Sequence, residues 1–353
     1  MKIAQIAPLF ESVPPKLYGG TERVVSYLTE ELLRQGHEVT LFASGDSVTR
    51  ANLRAPCHRA LRLDPHCQDT LAHHIVEIEM VFREAHKFDV LHFHIDYIHF
   101  PLFRSVRHKT LTTLHGRLDI PDLVPLFKEF HDMPVVSISD AQRTPLPWIN
   151  WAGTVHHGLP LDLYHYVEQP GDYLAFLGRI SPEKRVDRAI EIAKAVGLPL
   201  RIAAKVDKVD SPYFDQVIRP LLNDPLIDFI GEIGEGEKND FLGHAKALLF
   251  PIDWPEPFGL VMIEALACGT PVIAYHRGSV PEVLDHGMTG FMVHDLDEAI
   301  RAVEKIDTIS RKQCRIAFER RFSASIMAER YVAIYKQLAA LNAKEKPGEK
   351  KAA

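Results

Sequence analysis

The chain has 353 residues, of which 46% are hydrophobic and 25% charged, a composition typical of a globular protein. Its length suits two domains of about 150 residues better than a single core. The formal net charge is −6, and lysine and arginine are concentrated nowhere before the C-terminal tail, which argues against nucleic acid as a partner.

The first residues, MKIAQIAPLF, predict a β-strand rather than a leader peptide. They lack a signal peptide's long apolar run and its cleavage site, and no stretch of the chain reaches the roughly 18 apolar residues of a membrane span. The four cysteines are scattered and form no CxxC pair, which favours reduced thiols over disulfides or a zinc site. We therefore expect a cytoplasmic protein without a transmembrane segment.

The first half alternates short β-rich runs with amphipathic stretches. The predicted strands are KIAQIAPLF, HEVTLFA, DVLHFHI, TLTTLHG, PVVSIS and GTVHHG. Helices are predicted over 21–34 and 73–86. This alternation is typical of parallel strands joined by crossover helices, and it predicts a first domain over residues 1–165.

The second half repeats the same plan. Its predicted strands are YLAFLG, LRIAAK, IDFIGE, ALLFPI, PVIAY and GFMV, and its predicted helices cover 185–195, 235–246 and 260–267. A second domain is predicted over 166–321, with a linker over 159–172, where the periodicity is lost and Pro and Gly appear.

Two more helical stretches, 295–306 and 323–341, are predicted at the end of the chain. The second carries apolar residues on one face, which favours packing over membrane binding. Residues 342–353 are charged and punctuated by Pro and Gly, and we expect them to be disordered.

Ligands of open parallel sheets bind where strands end and helices begin. After the first strand, Gly19 and Gly20 precede Thr21 and Glu22. Paired glycines let the backbone approach a ligand, and the start of a helix favours an anion. A tight turn with a helix-stabilising glutamate explains the same residues, and no G-x-G-x-x-G is present to support nicotinamide binding.

In the second half, Arg179 follows a predicted strand and Lys184 begins the next helix. Two cations at the edge of a sheet suit a diphosphate, because arginine binds oxygens with its fork and lysine adds a point charge. A surface salt-bridge cluster with nearby acidic residues is the alternative. Arg185 and Arg188 are expected to face solvent.

The segment WPEPFGLVMIEALACGTPVIAY places Glu256 in a loop and Glu264 one turn into an apolar helix. Carboxylates rarely sit in apolar surroundings without a partner, and they accept hydrogen bonds from the paired hydroxyls of sugars and ribose. The amides of Phe258, Gly259 and Leu260 can point at the same ligand. The alternative is a helix-dipole glutamate with a loop glutamate in water.

The order of these motifs resembles the retaining glycosyltransferases of family 4, which have the GT-B fold. The motifs are Gly19-Gly20-Thr21-Glu22, His115-Gly116, Gly178-Arg179 with Glu183-Lys184, and Glu256-Pro257-Phe258-Gly259-Leu260 through Glu264. The resemblance extends to about Leu341. It implies an α/β architecture of two doubly wound, Rossmann-like domains facing a cleft, and a C-terminal helix over 322–341 that packs back on the N-terminal domain.

The resemblance implies a hexosyltransferase that moves a hexose from a nucleotide-diphosphate sugar, expected to be a UDP-hexose, without a metal or cofactor. Arg179 and Lys184 would bind the diphosphate, Glu264 the ribose, and Glu256 a hydroxyl of the transferred sugar. The donor site would be completed by Gly19, Gly20, Phe258, Gly259 and Leu260, and the catalytic set would be His115, Glu256, Arg179 and Lys184.

The acceptor is expected to be a sugar, a glycolipid or a small molecule. Its candidate contacts are Glu22, Arg117 and Asp140, on loops of the first domain. Two alternatives remain open: a hydrolase or epimerase of the nucleotide sugar, and a noncatalytic sugar-nucleotide binding module. The sequence departs from the family at Arg185, where many relatives have glycine.

His92 and His94 share one face of a predicted strand, and Asp96 follows on the same side. The spacing is compatible with a metal site. Ordinary packing, or lining of the acceptor cleft, is the favoured interpretation, so no metal site is assigned.

Overall fold

The computed structural model describes residues 1–16 and 19–345, with side chains up to residue 340. The chain forms two compact units. The N-terminal unit contains residues 1–138 and 143–156 and the last helix from Ala324, and the C-terminal unit contains residues 139–142 and 157–323.

Within the described residues, the N-terminal unit is built on seven parallel strands. They are β1 (Lys2–Ile6), β2 (Glu38–Phe42), β3 (Asn52–Arg54), β4 (Val90–Phe93), β5 (Thr110–Thr113), β6 (Val135–Ser137) and β7 (Trp151–Thr154), in the order 3-2-1-4-5-6-7. The helices are α1 (Gly20–Arg34), α2 (Thr70–Glu84), α3 (Phe100–Phe103) and α4 (Leu123–Glu129). The strand order reverses between β1 and β4, where doubly wound sheets bind ligands.

The C-terminal unit has six parallel strands among the residues that the structure describes. They are β8 (Tyr173–Ile180), β9 (Leu200–Val206), β10 (Ile227–Gly231), β11 (Ala245–Phe250), β12 (Val272–Tyr275) and β13 (Gly290–Val293), in the order 10-9-8-11-12-13. Its helices are α5 (Val186–Val196), α6 (Ser211–Tyr213), α7 (Glu235–Gly243), α8 (Leu260–Cys268), α9 (Val280–Val283), α10 (Leu296–Glu304) and α11 (Arg311–Arg321). Here the strand order reverses between β8 and β11.

The segment over 159–172, predicted as the linker, packs along the C-terminal unit instead. The guanidinium of Arg311 donates to the carbonyl of Val167 over 2.8 Å, and Arg315 donates to the carbonyl of Tyr164 over 2.7 Å. Both arginines belong to α11, a helix that the sequence patterns did not predict. The segment 159–172 thus lacks hydrophobic periodicity because hydrogen bonds from arginines to its main-chain carbonyls hold it in place.

The last helix, α12 (Ala324–Glu345), packs against α1 in the N-terminal unit. Its buried side chains include Met327, Tyr331 and Tyr335. The helix extends four residues into the segment 342–353 that was predicted to be disordered, and residues 346–353 lie outside the described part of the chain. The domain bounds taken from the sequence stay predictions.

Among the described residues, no helix combines the length and the apolar character needed to cross a membrane.

Candidate functional site

The loops that leave β8 and β11 lie together at the reversal point of the second sheet. The amide of Asp253, after β11, donates to the carbonyl of Glu183, after β8, over 2.9 Å. The two strands are neighbours in the sheet, so loops about 70 residues apart in sequence meet at one edge. This edge carries most of the residues predicted to bind the donor.

Lys184 and Glu256 are in direct contact across these loops. The indole N–H of Trp254 donates to the same carboxylate oxygen, Oε2 of Glu256, over 2.8 Å. The lysine Nζ also lies 5.4 Å from the ring centroid of Trp254, within reach of a cation–π interaction. The predicted cation and the predicted carboxylate therefore form one preassembled pair.

The backbone around Glu256 is held by the loop after β12. A Cβ atom added to Gly278 would lie 2.4 Å from the carbonyl oxygen of Glu256, so only glycine permits this approach. The amide of Ser279 donates to that carbonyl over 3.0 Å, and its hydroxyl donates to the carbonyl of Phe258 over 2.8 Å. Spacing in the sequence did not indicate either residue, although both follow a predicted strand.

Helix α8 begins directly after this loop. Gly259 precedes it with φ +78°, a left-handed conformation that favours glycine. The first amides of an α-helix have no intrahelical acceptor and favour an anion. The side chain of Phe258 is buried with its ring 4.9 Å from that of His157, so Phe258 offers a ligand only its main chain.

Arg179, near the end of β8, lies among carboxylates. Its guanidinium is 2.6 Å from a carboxylate oxygen of Glu183, 3.6 Å from Asp207 and 3.7 Å from Asp210. The pair with Glu183 is the salt bridge that the alternative interpretation of this motif expected. An anion that bound here would have to replace a carboxylate as the partner of Arg179.

The expectation that Arg185 and Arg188 face solvent is wrong. Arg185 forms ion pairs with Asp187 at 2.8 Å and Asp253 at 3.0 Å, and Arg188 reaches the same Asp253 at 3.0 Å. The hydrogen bond to Asp187 raises the pKa of Arg185. Arg185 also has φ +53°, in the region that favours glycine. Arg185 thus stands where many relatives have glycine, and its backbone has the left-handed conformation that favours glycine.

Glu264 is 3% exposed, and its partner comes from α7. The Nζ of Lys238 lies 2.8 Å from Oε1 of Glu264 and 3.3 Å from Oε2 of Glu235. Lys238 compensates the charge of Glu264, so it explains how a carboxylate can be buried in the apolar helix α8. Lys238 lies on another helix, and its sequence spacing from Glu264 gave no signal for this pair.

In the N-terminal unit, His115 follows β5 and its Nε2 lies 2.9 Å from Nδ1 of His94. His92 bonds through Nε2 to Thr113 and through Nδ1 to Tyr335, each over 2.7 Å. Burial lowers the pKa of His115 to about 3, so its imidazole is neutral at physiological pH. His92 in β4 and His94 after it thus form hydrogen bonds within the unit, and no group of three metal-binding side chains occurs among the described residues.

The glycine pair and Glu22 lie at the start of α1. Gly19 has φ +152°, and a Cβ atom there would lie 3.2 Å from Oε2 of Glu22. Gly20 is the first residue of the helix. Burial raises the pKa of Glu22, and the nearby carboxylate of Glu11, which pairs with Arg62 at 2.9 Å, adds to this effect.

The other two predicted acceptor residues, Arg117 and Asp140, each have partners of their own. Arg117 forms two hydrogen bonds with the carboxylate of Asp119, of 2.6 and 2.8 Å. Asp140 belongs to the C-terminal unit, where its amide donates to Glu282 over 2.8 Å. The structure therefore divides the predicted acceptor set between the two units.

Two family models match the chain. The model described as Glycosyltransferase Family 4 matches residues 18–175, and the model described as Glycosyl transferases group 1 matches residues 167–325. Together they extend over both units.

One curated relative is the D-inositol 3-phosphate glycosyltransferase of Mycobacterium marinum, which is 30% identical over 179 residues. This match covers 42% of the chain and 36% of the relative. The chain spans less than half the length of the curated relatives it matches.

Two solved structures are similar over nearly their whole length. AviGT4, a glycosyltransferase involved in avilamycin A biosynthesis, has a TM-score of 0.73 and 26% identity over 96% of this chain and 98% of its own. HepE of Anabaena, solved in complex with UDP and glucose, has a TM-score of 0.68 over 98% of this chain and 100% of its own. At 17% identity, the second likeness is one of fold.

Proposed function

We propose, on the premise that this chain belongs to the family 4 glycosyltransferases with the GT-B fold, that it is a retaining hexosyltransferase. It moves a hexose from a nucleotide-diphosphate sugar, a UDP-hexose, to an acceptor hydroxyl. The observation that carries the proposal is the contact between Lys184 and Glu256 beside the start of α8, at the reversal point of the second sheet. A cation, a carboxylate and the N-terminus of a helix lie together at the carboxyl ends of the strands. This combination suits a sugar diphosphate.

Lys184 and Arg179 bind the diphosphate in this proposal. Phosphate oxygens replace the carboxylates that contact these cations, Glu256 on Lys184 and Glu183 on Arg179, so each cation keeps an anionic partner. The same cations stabilise the charge that develops on the departing diphosphate, which is the role a metal ion takes in other enzymes. We therefore propose transfer without a metal.

The two carboxylates bind hydroxyls. Glu256, displaced from Lys184, accepts a hydrogen bond from a hydroxyl of the transferred hexose. Glu264 receives Lys238 at Oε1 and binds the ribose hydroxyls, with its orientation held by that lysine. Carboxylates are acceptor-only when ionised, so they select hydroxyls over phosphates.

The acceptor binds on the N-terminal unit in this proposal, with Glu22 and Arg117 as contacts, and Asp140 stays a predicted acceptor residue. The Gly19 and Gly20 backbone approaches the donor phosphate. His115, with its pKa lowered to about 3, is too weak a base to deprotonate the acceptor. We assign that proton to the departing phosphate, and to His115 a hydrogen bond with the substrate.

The test is transfer from UDP-hexoses by the wild type and by Lys184→Ala, Arg179→Ala and Glu256→Ala. Each substitution should lower turnover at least about 100-fold, as the loss of one transition-state contact does. Lys194→Ala is the matched control, because its ion pair with Asp224 lies at the surface, and it should keep wild-type turnover. Unchanged turnover in all three site variants would remove the proposal.

Two further measurements separate the alternatives. A thermal-shift screen of UDP, GDP and ADP identifies the nucleotide, because a ligand of the native state raises the melting temperature. Product analysis by NMR distinguishes transfer from hydrolysis or epimerisation of the donor. Nucleotide binding without any turnover would support a noncatalytic binding module.

A further inference from the structure

A buried chain of hydrogen bonds leads from His115 to the last helix within the N-terminal unit. Nδ1 of His94 lies 2.9 Å from Nε2 of His115, and Nε2 of His94 lies 2.8 Å from Oε1 of Gln5. Gln5 is fully buried in β1, and its Nε2 donates to the hydroxyl of Tyr335 over 3.1 Å. A polar side chain inside β1 thus connects α12 with the histidines that follow β4 and β5.

The orientation of Gln5 sets the direction of these bonds. Its NH₂ group faces Tyr335, so its carbonyl oxygen faces His94 and can only accept. His94 therefore carries its proton on Nε2. In the neutral form of His94, which the proposal below adopts, Nδ1 accepts and Nε2 of His115 donates to it.

The second branch of the network agrees with this direction. Nδ1 of His92 lies 2.7 Å from the hydroxyl of Tyr335 and 3.4 Å from Nε2 of Gln5, both of which can donate. Its Nε2 then carries the proton and donates to the hydroxyl of Thr113 over 2.7 Å. Burial lowers the pKa values of His92 and His115, so both rings are neutral.

We propose that Gln5 acts through His94 as a positioning residue that holds His115 in the tautomer with the proton on Nε2 and the lone pair on Nδ1. Nδ1 of this tautomer binds hydrogen-bond donors, such as a sugar hydroxyl, and rejects phosphate and carboxylate oxygens. Only this assignment of a substrate to His115 rests on the proposed function. The tautomer itself is inferred from the contacts within one unit.

The direct test is long-range ¹H–¹⁵N correlation NMR of the ¹⁵N-labelled full chain, with the His115 signals assigned by their loss in His115→Asn. The wild type should show a single His115 tautomer, protonated at Nε2. Gln5→Met removes the acceptor for His94 and should give a mixture of both tautomers. Gln5→Glu, held protonated by burial, keeps an acceptor oxygen for His94 and an O–H donor for Tyr335, and it should restore the wild-type tautomer.

Ile3→Met is the matched control, because Ile3 is also fully buried in β1, and it should leave the tautomer unchanged. A His115 protonated at Nδ1 in the wild type would overturn the proposal, as would an unchanged tautomer in Gln5→Met. If Gln5→Met fails to fold, the spectra of the wild type and of Gln5→Glu still decide.

Kinetics separate this proposal from the proposed function. In Gln5→Met, kcat for transfer should fall about tenfold with little change in the donor KM, the loss expected for one misdirected hydrogen bond. Gln5→Glu should recover most of it. If the spectra are as expected but no nucleotide sugar supports transfer, the tautomer is established and the proposed function is refuted. If transfer occurs but His115 has the opposite tautomer, the proposed function stands and the tautomer proposal is refuted.

Discussion

At the scale of single residues, Glu264 depends on a cation from another helix. Lys238→Met would leave this buried carboxylate uncompensated, so we expect the free energy of unfolding to fall by about 3 kcal/mol. We also expect at least a tenfold weaker affinity for UDP, about 1.4 kcal/mol, because Glu264 loses its orientation. Denaturant unfolding and calorimetry measure both quantities.

The matched control is Lys246→Met, since the partner of Lys246, Asp307, is 71% exposed. This variant should lose less than about 1 kcal/mol and keep its affinity for UDP. Equal effects in the two variants would contradict the role assigned to Lys238.

Glu77 of α2 is a second buried carboxyl, and neither of its oxygens has a hydrogen-bond partner among the described residues. Burial raises its pKa well above the ordinary value of 4.5. The folded protein therefore holds this group neutral over a pH range in which the unfolded chain ionises it. Across that range the wild type loses unfolding free energy as the pH rises.

Glu77→Gln removes this penalty. Its gain in unfolding free energy over the wild type should grow by about 1.4 kcal/mol per pH unit from about pH 4.5 up to the folded-state pKa. Urea unfolding at a series of pH values measures the gain. The exposed Glu79→Gln on the same helix should show no such growth, and a difference that stays constant with pH for Glu77→Gln would refute the prediction.

At the scale of elements, the loop that carries Glu256 is shaped by the loop after β12. Gly278→Ala would bring a methyl group against the Glu256 main chain, so we expect a loss of about 1–3 kcal/mol in unfolding free energy, together with weaker UDP binding. Gly287→Ala is the control, because Gly287 also has a positive φ but meets nothing within 4 Å. It should lose only about 1 kcal/mol and bind UDP normally, and equal UDP affinity in both variants would count against this account.

Helix α11 and strand β3 show where sequence patterns fail for whole elements. Strand β3 has three residues at the edge of its sheet and no apolar repeat to reveal it. Helix α11 presents arginines to the interior: the guanidinium of Arg311 donates to the carbonyls of Val167, Ala245 and Gly243. Polar side chains that bind main-chain carbonyls leave no apolar periodicity in the sequence.

At the scale of the molecule, α12 follows the C-terminal unit in sequence and belongs to the N-terminal unit in space. Met327→Ala would leave a cavity beneath this helix and should lower the stability of the N-terminal unit by about 2–5 kcal/mol. Hydrogen exchange should show the loss at the amides of β1, β4 and β5, and much less at β8 and β9. The exposed Lys336→Ala should leave every strand protected, and faster exchange confined to β8 and β9 in Met327→Ala would contradict the assignment of α12.

The predicted GT-B fold with two doubly wound sheets is confirmed by the strand orders and by the solved structures. The roles of the site residues stay predictions. The sequence alone determined the alternation of strands and helices and placed the key motifs at strand ends, because hydrophobic periodicity and glycine and proline positions are local properties.

Only the tertiary structure decided which side chains meet. Lys184 contacts Glu256 across 72 positions, Lys238 compensates Glu264, and Gln5 connects to Tyr335 across 330 positions. Parallel strands place their carboxyl ends at one edge whatever the length of chain between them, so these pairs depend on strand order and helix placement. The spacing of residues along the chain specifies neither the strand order nor the placement of the helices.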